Sequence, residues 1–173
     1  MQIAVVTGNP KPASRTHGVA LAVAGALAAA LPGATTHPVV DLAGHAPRLF
    51  DSSAAELSRL TAAVAAADVA IFASPTYKAS YTGMLKAFLD RYGSNGLAGV
   101  LAVPVMTGGW AGHTLAVELH LRPVLVELGA TVPARGLYVT EPELTDVDAA
   151  IAGWVTAALP LIRVLGGYEA SEA

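Results

Sequence analysis

Val69-Ala70-Ile71-Phe72-Ala73, running into Ser74-Pro75-Thr76-Tyr77-Lys78, is the stretch on which the fold turns. An apolar run with no polar alternate reads as a short strand covered on both faces, because a half-exposed strand alternates. Ser74-Pro75 is read as its stop, since proline brings no N–H to a ladder. Before the run, residues 53–67 read as a helix with Ser52 or Ser53 as cap. After it, residues 80–92 read as another, with Leu85, Phe88 and Leu89 at helical spacing. Helix, buried strand, helix is one period of an α/β chain.

The period repeats in both directions. Residues 3–7 form a β-branched-rich strand ending at Gly8, and a loop over residues 9–14 leads into an alanine-rich helix that stops near Leu31-Pro32-Gly33. Residues 35–40 read as the second strand, 100–106 as the fourth and 136–140 as the fifth. A helix over 113–128 separates the last two. A closing helix over 145–165 carries Asp146 and Asp148 in its first turn, where the dipole favours them, and Pro160 to bend it. Strands that alternate with helices predict a five-stranded parallel sheet with helices on both faces.

The chain has 173 residues, enough for one domain over 1–173 with a real core. Hydrophobic residues make up 54% and charged residues 13%, which excludes a disordered polyelectrolyte. A formal net charge of -3 offers no basic field to a nucleic acid. Cysteine is absent, so thiolate chemistry and disulfides are excluded, redox work falls to a bound cofactor, and a cytoplasmic setting fits. No Asp, Glu, Lys or Arg stands between Arg15 and Asp41, but the apolar core of that stretch, residues 18–31, is alanine-rich and is closed by Pro32-Gly33. It reads as soluble helix and not as a membrane span. Met1-Gln2 lacks the basic start of a secretory signal. Residues 166–173 are expected to fray.

In such a sheet, ligands bind beyond the carboxyl ends of the strands, where strand order reverses. Three loops leave those ends in unusual chemistry. The first offers Asn9, Lys11, Ser14, Arg15 and Thr16 at the opening of a helix, a setting that suits a phosphate monoester. It is neither the nucleoside-triphosphate nor the dinucleotide glycine pattern. The second, Pro75-Thr76-Tyr77-Lys78, offers a stiff backbone, an aromatic face and a cation. The third, Thr107-Gly108-Gly109, lets backbone approach a ligand closely. Each has a plain alternative: a helix cap, a strand terminator and a turn.

Taken together, the loops give the chain its resemblance to the NAD(P)H-dependent FMN reductase family of flavodoxin-like fold. It looks closest to the branch serving alkanesulfonate and methanesulfonate monooxygenases. The longest match runs ungapped from Ser74 to Asp90, through Ser74-Pro75-Thr76-Tyr77-Lys78-Ala79-Ser80-Tyr81-Thr82-Gly83-Met84-Leu85. Thr107-Gly108-Gly109, His113 and Leu121-Arg122-Pro123 form a second match, and residues 8–16 a third. The resemblance implies that Asn9, Lys11, Ser14 and Thr16 hold the flavin phosphate. It implies that Pro75, Thr76, Tyr77 and Lys78 line the isoalloxazine, with Thr107, Gly108 and Gly109 at its pyrimidine edge. FMN would be the flavin, NADPH or NADH the co-substrate, and a two-component monooxygenase the recipient. No general acid, general base or metal ligand is nominated, because the chemistry belongs to the cofactors. His113 and His120 are left as helix-surface or interface residues.

The family also forms homodimers or homotetramers, for which Leu85, Phe88, Leu119 and Trp110 are candidate contacts or plain core. In sulfonate-linked members an extra residue bulges the fourth helix, and Glu118-Leu119-His120-Leu121 occupies that stretch here. Asn9 stands where serine is commoner, and residues 91–96 lack the usual Pro and Lys. The rival enzyme is an FMN-containing quinone or azo reductase. A flavodoxin-type carrier is disfavoured, since carriers present a strongly acidic face.

Overall fold

The computed structural model describes residues 1–167; the expected fraying of 168–173 lies outside them. Five strands, β1 (Gln2–Thr7), β2 (Thr35–Asp41), β3 (Val69–Pro75), β4 (Leu101–Gly108) and β5 (Leu137–Thr140), form one sheet in the order β2-β1-β3-β4-β5. Every pairing is parallel. This is the flavodoxin-like order, whose reversal point lies between β1 and β3.

Strand residues divide by parity, because successive side chains point to opposite faces. Ala4, Val6, Ala70, Phe72, Ala102 and Met106 pack under helices α2 (Ala55–Ala65) and α3 (Gly83–Leu89) and the segment leading into α4 (Arg122–Glu127). Ile3, Val5, Ile71, Ala73, Val103 and Val105 pack under α1 (Arg15–Ala30) and α5 (Val147–Leu165). Both faces are apolar because both are covered. Helix α5 is long and apolar enough to cross a membrane by length and composition, yet Ile151, Ala158 and Ile162 fill the same core as α1.

Several boundaries differ from the sequence reading, each for a local reason. Helix α2 starts later than residue 53, since Ser53 turns both its N–H and its hydroxyl to the Asp51 carboxylate and caps nothing. Helix α3 starts at Gly83, not Ser80, because Thr82 is its cap and accepts from the Leu85 N–H at 3.2 Å. β3 runs two residues past Ala73 and ends at Pro75: Ser74 and Pro75 still pair with Met106 and Thr107, and the Thr76 N–H donates to the Thr107 carbonyl at 2.7 Å. Asp146 caps α5, accepting from the Ala149 N–H, and does not sit within its first turn.

The helix expected over 113–128 is three pieces. A 3-10 turn over Ala111–His113 is followed by a π-helical turn over Val117–Leu121 and then by α4. The extra residue of the π turn falls where the resemblance places a bulge. It leaves Leu119 65% exposed, beside exposed His120. Glu118 in this turn accepts the Gly136 N–H, and Arg122 donates to the Ala134 and Val132 carbonyls at 2.9 and 3.0 Å. The π turn thereby fixes the approach to β5. Leu85 and Phe88 are wholly buried and belong to the core, so neither is available as a subunit contact.

Candidate functional site

Gly8 brings the first two loops together. Its N–H donates to the Ala73 carbonyl at 2.8 Å, and its own carbonyl accepts the Thr82 hydroxyl at 2.6 Å. A Cβ on Gly8 would lie 2.4 Å from the Leu85 Cβ, so only glycine lets α3 sit this close to the end of β1. Ser74 completes the junction: its hydroxyl accepts the Thr82 N–H and donates to the Pro75 carbonyl, both at 2.9 Å.

The loop after β1 is held by its own side chains. The Asn9 carbonyl oxygen accepts the Lys11 N–H at 2.9 Å, and its amide nitrogen donates to Thr16 Oγ1 at 3.3 Å. Ala13 has a left-handed backbone, φ 47°, and its N–H donates to the Asp41 carboxylate at the end of β2. Ser14 caps α1, accepting the His17 N–H at 3.2 Å, and keeps its hydroxyl proton for another acceptor. Thr16 Oγ1 meets Thr107 Oγ1 at 2.7 Å, and both residues are buried. That pair needs one proton between its oxygens and has a second to offer. The donors are thus fixed, and they face the helix opening where anions are favoured.

The loop after β4 approaches from the other side. A Cβ on Gly108 would fall 2.1 Å from the Tyr138 hydroxyl and 3.1 Å from Thr76 Oγ1. That hydroxyl receives the Thr76 hydroxyl proton and donates to the Trp110 carbonyl, each at 3.3 Å, so Tyr138 pins the second and third loops to each other. Trp110 is 65% exposed and meets the His113 ring edge-on at 4.8 Å.

Between these walls lies an open cavity of about 290 Å³. Asn9, Lys11, Ser14 and Thr16 of the first loop, Pro75, Thr76 and Tyr77 of the second, and Thr107, Gly108 and Gly109 of the third all line it. Lys78 does not line it; this residue sits on the exposed turn between Tyr77 and Ser80, with φ 52°. Three further residues line the cavity: Arg15, Glu141 and Leu144. Arg15 was visible in the first loop, but Glu141 and Leu144 follow β5 in a stretch without a motif. Their only sequence signal is position, just past the carboxyl end of a strand. Nearby, Thr140 donates both its N–H and hydroxyl to Glu143, which holds that carboxyl below its usual range.

The residues present fit FMN. Hydroxyls of Ser14 and of the Thr16–Thr107 pair, the Asn9 amide and two cations suit a phosphate. The side-chain-free surface at Gly108 and Gly109, in a cavity that Tyr77 also lines, suits a planar heterocycle. Among the described residues no group of His, Asp and Glu could hold a metal ion.

A parallel 2-1-3-4-5 sheet with a donor-lined cavity at its reversal point defines the flavodoxin-like class of nucleotide-binding proteins. Comparison with known proteins narrows this. Residues 1–143 match the NADPH-dependent FMN reductase family, and the chain belongs to that family. It is an oxidoreductase of the NAD(P)H-dependent FMN reductase type, using FMN and a reduced nicotinamide nucleotide. It is similar to the NADH-dependent FMN reductase SfnF of Pseudomonas putida, 34% identical over 80% of this chain and 76% of that one. It is also similar to the FMN reductase (NADPH) of Escherichia coli K12, 39% identical over 56% of this chain and 50% of the relative. Among solved structures, an NADH:FMN oxidoreductase in its apo form superposes with a TM-score of 0.81 at 29% identity, covering 99% of this chain and 91% of that one.

Proposed function

We propose that the chain acts as one flavodoxin-like unit over residues 1–173, reduces FMN with NADH or NADPH, and releases the reduced flavin to a separate monooxygenase. The observation that carries this reading is the meeting of three separate loops on one cavity. Asn9, Lys11, Ser14 and Thr16 hold the phosphate, with the first turn of α1 behind them. Pro75, Thr76 and Tyr77 back the isoalloxazine, and Lys78 closes the approach from the exposed turn. Thr107, Gly108 and Gly109 direct backbone groups at its polar edge. Bound FMN supplies the ring that accepts hydride from the nicotinamide. The protein's residues orient the two rings and shield one face from water, and no side chain serves as general acid or base.

A cytoplasmic, homo-oligomeric enzyme is part of the same proposal. Its support is a chain without cysteine and the exposed apolar pair Leu119 and Trp110 near the π turn. The test is flavin fluorescence on titration with FMN, then anaerobic mixing with each coenzyme. Saturable quenching followed by bleaching of the flavin absorbance is expected. Binding without bleaching would leave an electron carrier, and no binding at micromolar FMN would end the proposal.

A further inference from the structure

The Arg15 guanidinium, which faces the same cavity as Lys11 and Ser14, is already taken. Its Nη1 donates to Glu141 Oε1 at 2.6 Å, a bridge between two lining residues 126 positions apart. The Glu141 backbone is tied to the rim, its N–H donating to the Gly108 carbonyl at 2.9 Å, and a Cβ on Gly109 would lie 3.4 Å from its other carboxylate oxygen. A carboxylate is thus mounted on the sheet edge, inside a cavity whose other polar groups are donors and cations.

We propose that Glu141 is a specificity residue that sets flavin affinity by competing with the phosphate of FMN for Arg15. The proposal deepens the reading of the cavity as an FMN site and rests on it. Both side chains of the pair are more than half exposed, so the bridge is weak and exchangeable. A phosphate arriving beside Ser14 is the stronger partner, since it offers more charge and a bidentate fit to the guanidinium. Arg15 therefore has two acceptors within its reach, and FMN binds at the cost of the Glu141 bridge. Riboflavin, which lacks the phosphate, has no claim on Arg15. The competition lowers FMN affinity selectively and keeps the flavin exchangeable, as release of a reduced product requires.

The test is a set of fluorescence titrations with FMN and with riboflavin on the wild type, Glu141→Gln, Arg15→Gln and the double variant, with thermal melts to verify folding. Glu141→Gln should tighten FMN about two- to fivefold, the range of one exposed ion pair, and leave riboflavin unchanged. The gain should vanish in the Arg15→Gln background and shrink in high salt. Glu141→Ala should repeat the result. Equal shifts for both flavins, weaker FMN binding, or a gain that persists without Arg15 would overturn the role of Glu141. Should the wild type bind neither flavin, the reading of the cavity itself fails, and the role of Glu141 with it.

Discussion

Thr16 Oγ1 and Thr107 Oγ1 stand 2.7 Å apart in the interior, where the opening of α1 meets the end of β4. The contact joins residues 91 positions apart and makes the first and third loops one wall. Thr107→Val keeps the shape and removes one hydroxyl. It is expected to cost about 1 kcal/mol of stability, the usual worth of a buried hydrogen bond, and to weaken FMN binding. Denaturant unfolding and flavin titration on the same samples measure both.

Gly108 has no room for a methyl group. In Gly108→Ala the new Cβ meets the Tyr138 hydroxyl, so one of the two loops must shift. Overpacking of this kind typically costs 1–3 kcal/mol, and FMN and riboflavin should both bind roughly tenfold more weakly. Adding Tyr138→Phe removes the nearest obstructing atom and should restore part of the loss. No recovery would mean that the backbone, not the hydroxyl, is the barrier.

Ser14 and Lys11 separate stability from anion binding. Ser14→Ala removes the α1 cap and should cost about 1 kcal/mol in the melt. Lys11 is exposed, and Lys11→Ala should leave the melt unchanged. Both should weaken FMN more than riboflavin, since only FMN carries the phosphate. Equal losses would place the phosphate elsewhere.

How much of this was legible varies with the kind of signal. The strands were legible because burial on both faces leaves no polar alternation, and the flavodoxin-like fold that the resemblance implied has the sheet order found here. The start of α3 was not. Tyr77 and Ser80 close a small bridge with left-handed backbone at Lys78 and Ala79, and neither is the glycine that would announce such a turn. The division of residues 111–127 was hidden for a different reason. A 3-10 turn of three residues and a π turn of five are too short for their different periods to show in the apolar pattern. Within the candidate site, residues in clusters could be read, whereas Glu141 stands alone after a strand and becomes visible only when Arg15 is found facing it.

Asp51 gives the acid limb of stability a specific origin. Hydrogen bonds from the Ser53 hydroxyl, Arg48 and the Ser53 N–H hold its pKa at about 2, below the ordinary 3.8. A depressed folded pKa means that the unfolded chain takes up the proton first. The stabilisation is therefore present above about 3.8 and is lost as pH falls toward about 2. Melting temperatures across that window should fall less steeply in Asp51→Asn than in the wild type.

The strands reach the cavity before they end, and this has a dynamic consequence. The amides of Thr76 and Glu141 donate to the carbonyls of Thr107 and Gly108, so both rims are laced into the sheet at its carboxyl edge. These hydrogen-bonded amides should exchange with deuterium more slowly than those of the exposed turn. The exposed tip at Lys78 and Ala79 should exchange early. Ligand traffic would then depend more on the breathing of a few outer residues than on the hydrogen-bonded rim beneath them.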